Sequence, residues 1–272
     1  MLMQRVITAL LLLPVLLGMI WFAPTPWLYV FFSAAGLMIA WEWTGLMRWS
    51  GHSAKRYLYV AAMAIVLFAV WAAPIEYRPW LFGVAAVWWV FSFILVSGFP
   101  QNFQRHPPSD IAMSLLGLLL ISSTLLALAT LHAMPNGVMR LIYLFFLIFA
   151  ADTGAYFAGR TFGKHKLAPN VSPGKTIEGA IGGVLLCGAW SLVGGHYIFQ
   201  AQGDALIALF VLSMVIAVFS IVGDLTESMF KRHAGIKDSG NILPGHGGIL
   251  DRVDSILSAA PVMVLGLLLL NI

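Results

Sequence analysis

Charged and glycine residues crowd two stretches of this chain, and their types suit phosphate and a hard cation. The longer stretch begins Gly223-Asp224-Leu-Thr-Glu227-Ser228-Met-Phe-Lys231-Arg232 and passes through Lys237-Asp238-Ser-Gly240. It ends Pro244-Gly-His246-Gly247-Gly248-Ile-Leu-Asp251-Arg252-Val-Asp254. If the helix before Gly223 continues, Asp224, Glu227, Ser228 and Lys231 fall at i, i+3, i+4 and i+7 on one face. Carboxylates are the ligands Mg²⁺ prefers, one or two of them beside phosphate oxygens and water, which makes Asp224 and Asp251 the first candidate ligands. A plainer reading pairs Asp224 with Lys231 and uses Asp251 or Asp254 to cap the last helix. Capping leaves Lys231, Arg232, Lys237, Asp238, His246 and Arg252 in the same segment without a reason. The glycines of Pro244–Gly248 would let backbone amides approach an anion, with the positive end of the following helix behind them. His246 alone reads as a structural loop histidine; its neighbours make it a contact for ligand or phosphate.

The second stretch runs from Asp152-Thr-Gly-Ala-Tyr through Arg160 and Lys164-His-Lys166 to Ser172-Pro-Gly-Lys175-Thr176-Ile-Glu178-Gly179. Asp152 closes the apolar run Leu141 to Ala151 and sets another carboxylate at a helix end. Ser172-Pro173 reads as N-cap and first residue of a helix whose first turn carries Lys175. Hydroxyls, an ammonium and a helix N-terminus then coincide at Ser172, Lys175 and Thr176, where phosphate contact and a simple capped helix remain alternatives. Lys164 and Lys166 read as topology signals.

The elements that must position these groups are membrane helices. Of 272 residues, 60% are hydrophobic and 10% charged, against roughly 45–50% and 25% in soluble domains. Apolar runs near 6–23, 27–46, 57–74, 80–97, 111–132, 138–157, 176–198, 205–223 and 255–270 are each about long enough to cross a bilayer. Nine spans are therefore expected in an all-α polytopic membrane protein. The first run exceeds a typical signal-peptide core and lacks a clear small-x-small cleavage site, so it is expected to be retained. With the N-terminus inside and the C-terminus outside, thirteen of the 15 Lys and Arg residues lie inside and only Arg78 and Arg140 lie outside, as the positive-inside rule requires. The +4 net charge thus serves topology first, and nucleic acid is not expected as a partner. The single Cys187 lies in an apolar run and excludes an intrachain disulfide. Residues 1–137 read as a scaffold of about five helices by this pattern, its acids Glu42, Glu76 and Asp110 included. Residues 138–272 read as the catalytic region, with inner segments 152–178 and 224–254.

The run Ser228-Met-Phe-Lys-Arg232, four residues, Lys237-Asp-Ser-Gly240, then Leu243-Pro-Gly-His-Gly-Gly-Ile-Leu-Asp-Arg-Val-Asp254 resembles the signature of phosphatidate cytidylyltransferases. The Asp152-Thr-Gly-Ala-Tyr and Ser172-Pro-Gly-Lys-Thr-Ile-Glu-Gly stretches resemble that family too, and the first half does so only in hydropathy. One position departs: many members carry a second lysine before Lys175, where this chain has Gly174. The resemblance implies an enzyme of the bacterial inner membrane, its site facing the cytoplasm. It would join CTP and phosphatidic acid to give CDP-diacylglycerol and pyrophosphate with Mg²⁺, one cation or two. The family's metal-binding aspartates correspond to Asp224 and Asp251, with Asp152 or Asp254 as a third ligand or a supporting residue. Lys231, Arg232, Lys237 and Arg252 are the expected phosphate partners, joined by Asp238 and His246 in the catalytic set. Ser172, Lys175, Thr176, Ser228, Gly247 and Gly248 are the expected substrate contacts. The reading allows a homo-oligomer. A CTP-dependent polyprenol- or phytol-type lipid kinase is the nearest rival, and a secondary transporter the more distant one. Transport expects charge near mid-membrane and repeat symmetry, and this chain instead gathers its acids at inner helix ends.

Overall fold

A computed structural model describes residues 2–49, 51–242, 245 and 247–272, with side chains from residue 10 onward. The long helices fall on the apolar runs: α1 Leu2–Phe22, α2 Thr25–Leu46, α3 Ala54–Ala72, α4 Arg78–Ser97, α6 Asp110–Ala133, α7 Gly137–Phe162, α8 Ile177–Tyr197, α9 Gly203–Ala234 and α10 Leu250–Leu270, with a short α5 at Gln101–Arg105. Among the described residues, seven helices are long and apolar enough to cross a membrane, the helix from Ala54 and every long one after it. The chain is an all-α polytopic membrane protein. α1 and α2 occupy the first two apolar runs without meeting that measure, α1 contributing only the shorter apolar helix Leu10–Phe22.

The centre of the bundle is α6, which packs against α2, α3, α4, α7 and α10. Its middle carries Ser122, Ser123 and Thr124, all buried. Each hydroxyl returns to a carbonyl three or four residues back, and Thr124 also donates to Leu257 O on α10 at 3.0 Å. Small hydroxyl residues of this kind let membrane helices approach and give them a polar link where no water competes.

Two helices run past the ends of their apolar runs. α7 continues through Asp152 to Phe162, and α9 continues through Gly223 to Ala234, so the face Asp224-Glu227-Ser228-Lys231 forms as the spacing predicts. α9 stops at Gly235, whose φ of +77° suits glycine. The amide of Ile236 bonds Lys231 O at 3.0 Å and that of Gly235 bonds Arg232 O at 3.2 Å, a Schellman closure.

The stretch around Lys175 differs from expectation. Ser172 does not cap a helix. Residues Ser172–Thr176 form strand β2, antiparallel to β1 at Lys166–Ala168, with Lys166 opposite Thr176 and Ala168 opposite Ser172. The fixed φ of Pro173 suits an edge strand as well as a first helical turn. The true cap is Thr176, extended at φ −124° and ψ 155°, whose hydroxyl accepts the Gly179 amide at 3.1 Å. Glu178 then ties the hairpin down: it accepts from the amides of Lys164 at 3.1 Å and His165 at 3.2 Å, and from His165 Nδ1 at 2.6 Å.

Candidate active site

The site starts from a crossing of α7 and α8 made without side chains. A Cβ on Gly154 would stand 2.5 Å from Gly182 O, one on Gly183 2.6 Å from Ala151 O, and one on Gly179 2.8 Å from Ala155 O. With the two backbones in contact, Asp152 and Tyr156 of α7 are brought beside the hairpin end that leads into α8. α9 closes the third side and meets α10 through Gly223, where a Cβ would lie 2.7 Å from Asp254 O.

Between these elements lies a cavity of about 370 Å³, within the usual range for small-molecule sites of roughly 300–1,000 Å³. Asp152, Tyr156, Arg160, Lys175, Thr176, Ser220, Asp224 and Ser255 line it. Lys175 forms an ion pair with Asp224 on its wall, and Ser228 Oγ donates to the other Asp224 oxygen at 3.4 Å. Asp224 therefore pairs with Lys175 rather than with Lys231. Strand β2 makes this possible, since an extended segment carries Lys175 across to α9.

A second charged group sits beside the first. Lys231, 13% exposed, lies 2.5 Å from Glu227 Oε2 and 2.7 Å from Asp251 Oδ1. Asp251 also accepts from the amides of Ser239 at 3.0 Å and Gly248 at 2.9 Å. Among the described residues neither oxygen of the buried Glu227 has a hydrogen-bond partner of good geometry, and the Lys231 ammonium is the charge beside it. Asp254, whose Oδ1 accepts the Ser255 amide at 2.6 Å, follows one turn after Asp251 on α10.

Asp224 and Asp251 thus belong to two neighbouring ion-paired groups, and the second aspartate on the cavity wall is Asp152. Among the described residues no three His, Cys, Asp or Glu side chains form a ready-made cation cluster. Asp152 and Asp224 facing one cavity still fit a hard cation that takes two carboxylates and fills its shell with phosphate and water. Each lysine already holds a cationic charge against the aspartate it would release.

The remaining expected residues divide as follows. Arg232 is directed to the hairpin, Nε donating to Val171 O at 3.2 Å, so it braces the turn that carries Lys175. Lys237, Asp238 and Arg252 are exposed. Ser172 pairs within the hairpin and does not line the cavity. Gly247, with φ +82°, leaves its side-chain position 3.0 Å from Asp251 Oδ2. Of the expected anion-binding turn, Pro244 and His246 lie outside the described residues; the amide of Gly248 at its end bonds Asp251, and those of Ile249 and Leu250 beyond it bond Glu42. Sequence reasoning missed Tyr156, Arg160, Ser220 and Ser255 on the cavity wall, and it assigned Glu42, which holds the start of α10, to the scaffold. The one visible peculiarity of Glu42 was a carboxylate within an otherwise apolar run.

An apolar groove of about 350 Å³ adjoins the cavity, sharing Leu167, Ala180 and Ile221 with it. Phe93, Ile181, Val184, Leu185, Met214 and Val218 form most of the rest. Ile181, Leu185 and Val218 are exposed on the helix surfaces, so the groove opens sideways where lipid would lie.

A polytopic helical membrane protein whose helix ends enclose lysine, hydroxyl and aspartate groups beside an apolar groove open to the helix surface has the build of an enzyme for anionic lipids. The chain belongs to the Cytidylyltransferase family, whose model it matches over residues 3–270. It is similar to the phosphatidate cytidylyltransferase of Pseudomonas aeruginosa, 41% identical over 96% of this chain and 95% of that one. The protein of the same name from Haemophilus influenzae is 36% identical over 96% of both chains. That of Staphylococcus saprophyticus is 40% identical over 66% of this chain and 67% of its own.

Proposed function

We propose that this chain transfers the cytidylyl group of CTP to phosphatidate, yielding CDP-diacylglycerol and pyrophosphate. The observation that carries the reading is the cavity in which Lys175, Thr176, Asp152 and Asp224 meet, continuous with an apolar groove, in a member of this family. The polar part suits nucleotide and phosphates, and the groove suits acyl chains. Phosphatidate already carries an anionic oxygen, so its attack on the α-phosphorus needs no strong base. The new bond joins that oxygen to the α-phosphorus, the bond to the β-phosphate oxygen breaks, and pyrophosphate leaves with the electron pair.

The protein's task is to hold two polyanions together and neutralise charge as it grows on the leaving group. Lys175 and Lys231 do this by exchanging partners, each ammonium leaving a carboxylate for a phosphate. Asp224 and Asp152 would hold Mg²⁺ at the cavity, with Asp251, now paired with Lys231, as a further candidate ligand. The cation would supply charge neutralisation at the phosphates. Exposed Lys237 and Arg252 meet the nucleotide's outer phosphates, Arg in bidentate fashion.

The membrane arrangement belongs to the same proposal. α1 and α2 cross with the seven apolar helices, giving nine spans with the N-terminus inside. The site then faces the cytoplasm of a bacterial inner membrane, where CTP is dissolved and lipid headgroups lie at the interface. The deciding experiment uses the purified full chain in detergent with CTP, phosphatidic acid and Mg²⁺. Pyrophosphate release that stops with a chelator is the expected result. Release of CDP in its place would turn the reading to a lipid kinase, and no turnover of CTP would end it.

A further inference from the structure

We infer that Glu42, on a helix far from the catalytic segments in sequence, is a positioning residue that holds the backbone of residues 248–250 at the start of α10 and thereby aims Asp251. The inference rests on the activity proposed above. Glu42 is 2% exposed on α2, and its two oxygens accept from the amides of Ile249 at 3.1 Å and Leu250 at 2.8 Å. Those are the first amides of α10, which no residue of the helix can satisfy. The N-cap residue Ile249 has no side chain able to do so. The cap comes instead from a residue 207 positions away.

The fit around this carboxylate leaves no room on either side of it. A Cβ on Gly240 would stand 2.5 Å from Glu42 Oε1, and one on Gly248 would stand 2.7 Å from Oε2. Gly240 and Gly248 thus enclose the Glu42 carboxylate from two sides. The amides of Ser239 and Gly248 serve Asp251. The consecutive amides of Gly248, Ile249 and Leu250 are divided between two carboxylates, so displacement of one shifts a donor of the other. The inner end of α2 supports this segment more widely: Trp43 meets Phe230 of α9 edge-on at 5.9 Å, and Arg48 donates to the carbonyl of His233.

A carboxylate is specifically required. In Glu42→Gln one oxygen becomes an amide group, which can only donate, and it would face a backbone N–H that also donates. The side chain keeps its size and loses one of the two bonds. Glu42→Asp keeps the acceptors but draws them back by one methylene. Outer residues that orient catalytic ligands typically change activity by about 10- to 100-fold, and that is the expected fall in kcat for Glu42→Gln. KM for CTP should rise by less than kcat falls, because Lys175 and Thr176 are untouched, while Lys237 and Arg252 among the proposed phosphate partners adjoin the displaced segment. Glu42→Asp should lie between Glu42→Gln and the parent.

The test pairs this kinetic split with hydrogen exchange on the full chain in detergent, with neither Mg²⁺ nor substrate present. The peptide spanning residues 247–254 should exchange faster in Glu42→Gln. Glu76→Gln, at an exposed acid of the first half, should match the parent in both measurements. If Glu42→Gln does not fold, Glu42→Asp carries both readouts. Parent-like kcat, or a loss of kcat without faster exchange in that peptide, would overturn the inference. So would a loss expressed only in KM for CTP. A parent protein that releases no pyrophosphate rejects the proposed activity instead, and exchange alone still decides whether Glu42 holds that segment.

Discussion

Lys175 and Asp224 form an ion pair on the cavity wall with Asp152 facing the same space. Removing either partner leaves the other charge without compensation in a partly buried site, which is costlier than removing both. Asp224→Asn is expected to abolish pyrophosphate release while the protein still elutes as a folded particle from size-exclusion chromatography. Near-parental turnover in this variant would remove Asp224 from the cation site. Lys175→Gln should lower kcat/KM for CTP by about 100-fold or more, in the range of lost charge stabilisation at phosphoryl sites, where each factor of ten is about 1.4 kcal/mol. Arg232→Gln should act less severely, since its guanidinium braces Val171 O rather than facing the cavity. The residue types and their clustering were legible from sequence because few charges occur in so apolar a chain. Their pairing was not: Lys175 reaches Asp224 only because β2 is extended, and a Ser-Pro step fits a strand edge as readily as a helix start.

At the scale of elements, the contact between α7 and α8 fixes how far apart the cavity walls stand. Gly183→Val would push branched methyls into the Ala151 carbonyl region, where even one Cβ has no space. The expected cost is about 1–3 kcal/mol of overpacking, read as a lower midpoint of thermal unfolding in detergent together with loss of activity. Gly174→Ala is the contrasting variant, because a Cβ there meets nothing within 4 Å, and it should leave the unfolding midpoint unchanged. Hydropathy located the helices well, since apolar side chains facing lipid or core make continuous runs. The continuation of α9 past Gly223 was readable from the spacing of Asp224, Glu227, Ser228 and Lys231, whereas the extension of α7 beyond its apolar run to Phe162 was not, because its last turn carries no apolar run. The hairpin escaped notice for a related reason: three- and five-residue strands are too short to show alternation.

For the whole molecule, the two halves are less separate than their hydropathy suggests. Residues 1–137 read as scaffold, yet α2 supplies Glu42 to the α10 end of the site and α4 supplies Phe93 to the groove. Such long-range partners leave no local pattern, which is why Glu42 was invisible to motif reading. Membrane orientation can be tested through a convenient feature: the single cysteine, Cys187, is buried. The parent protein should therefore resist a membrane-impermeant thiol reagent. Cysteines placed at Lys55 or Lys237 should label only in inside-out vesicles, and one placed at Glu76 only in right-side-out vesicles; the opposite pattern would reverse the proposed topology. The wall shared by cavity and groove at Leu167, Ala180 and Ile221 has a kinetic consequence as well. A lipid that reaches the site through it never transfers its chains to water, a step that would cost roughly 0.8 kcal/mol for each methylene. The lipid concentration that governs the reaction is then a surface density: at constant amounts of enzyme and phosphatidate, added neutral detergent should slow turnover by dilution within the micelle, while added buffer at fixed CTP and Mg²⁺ concentrations has no effect.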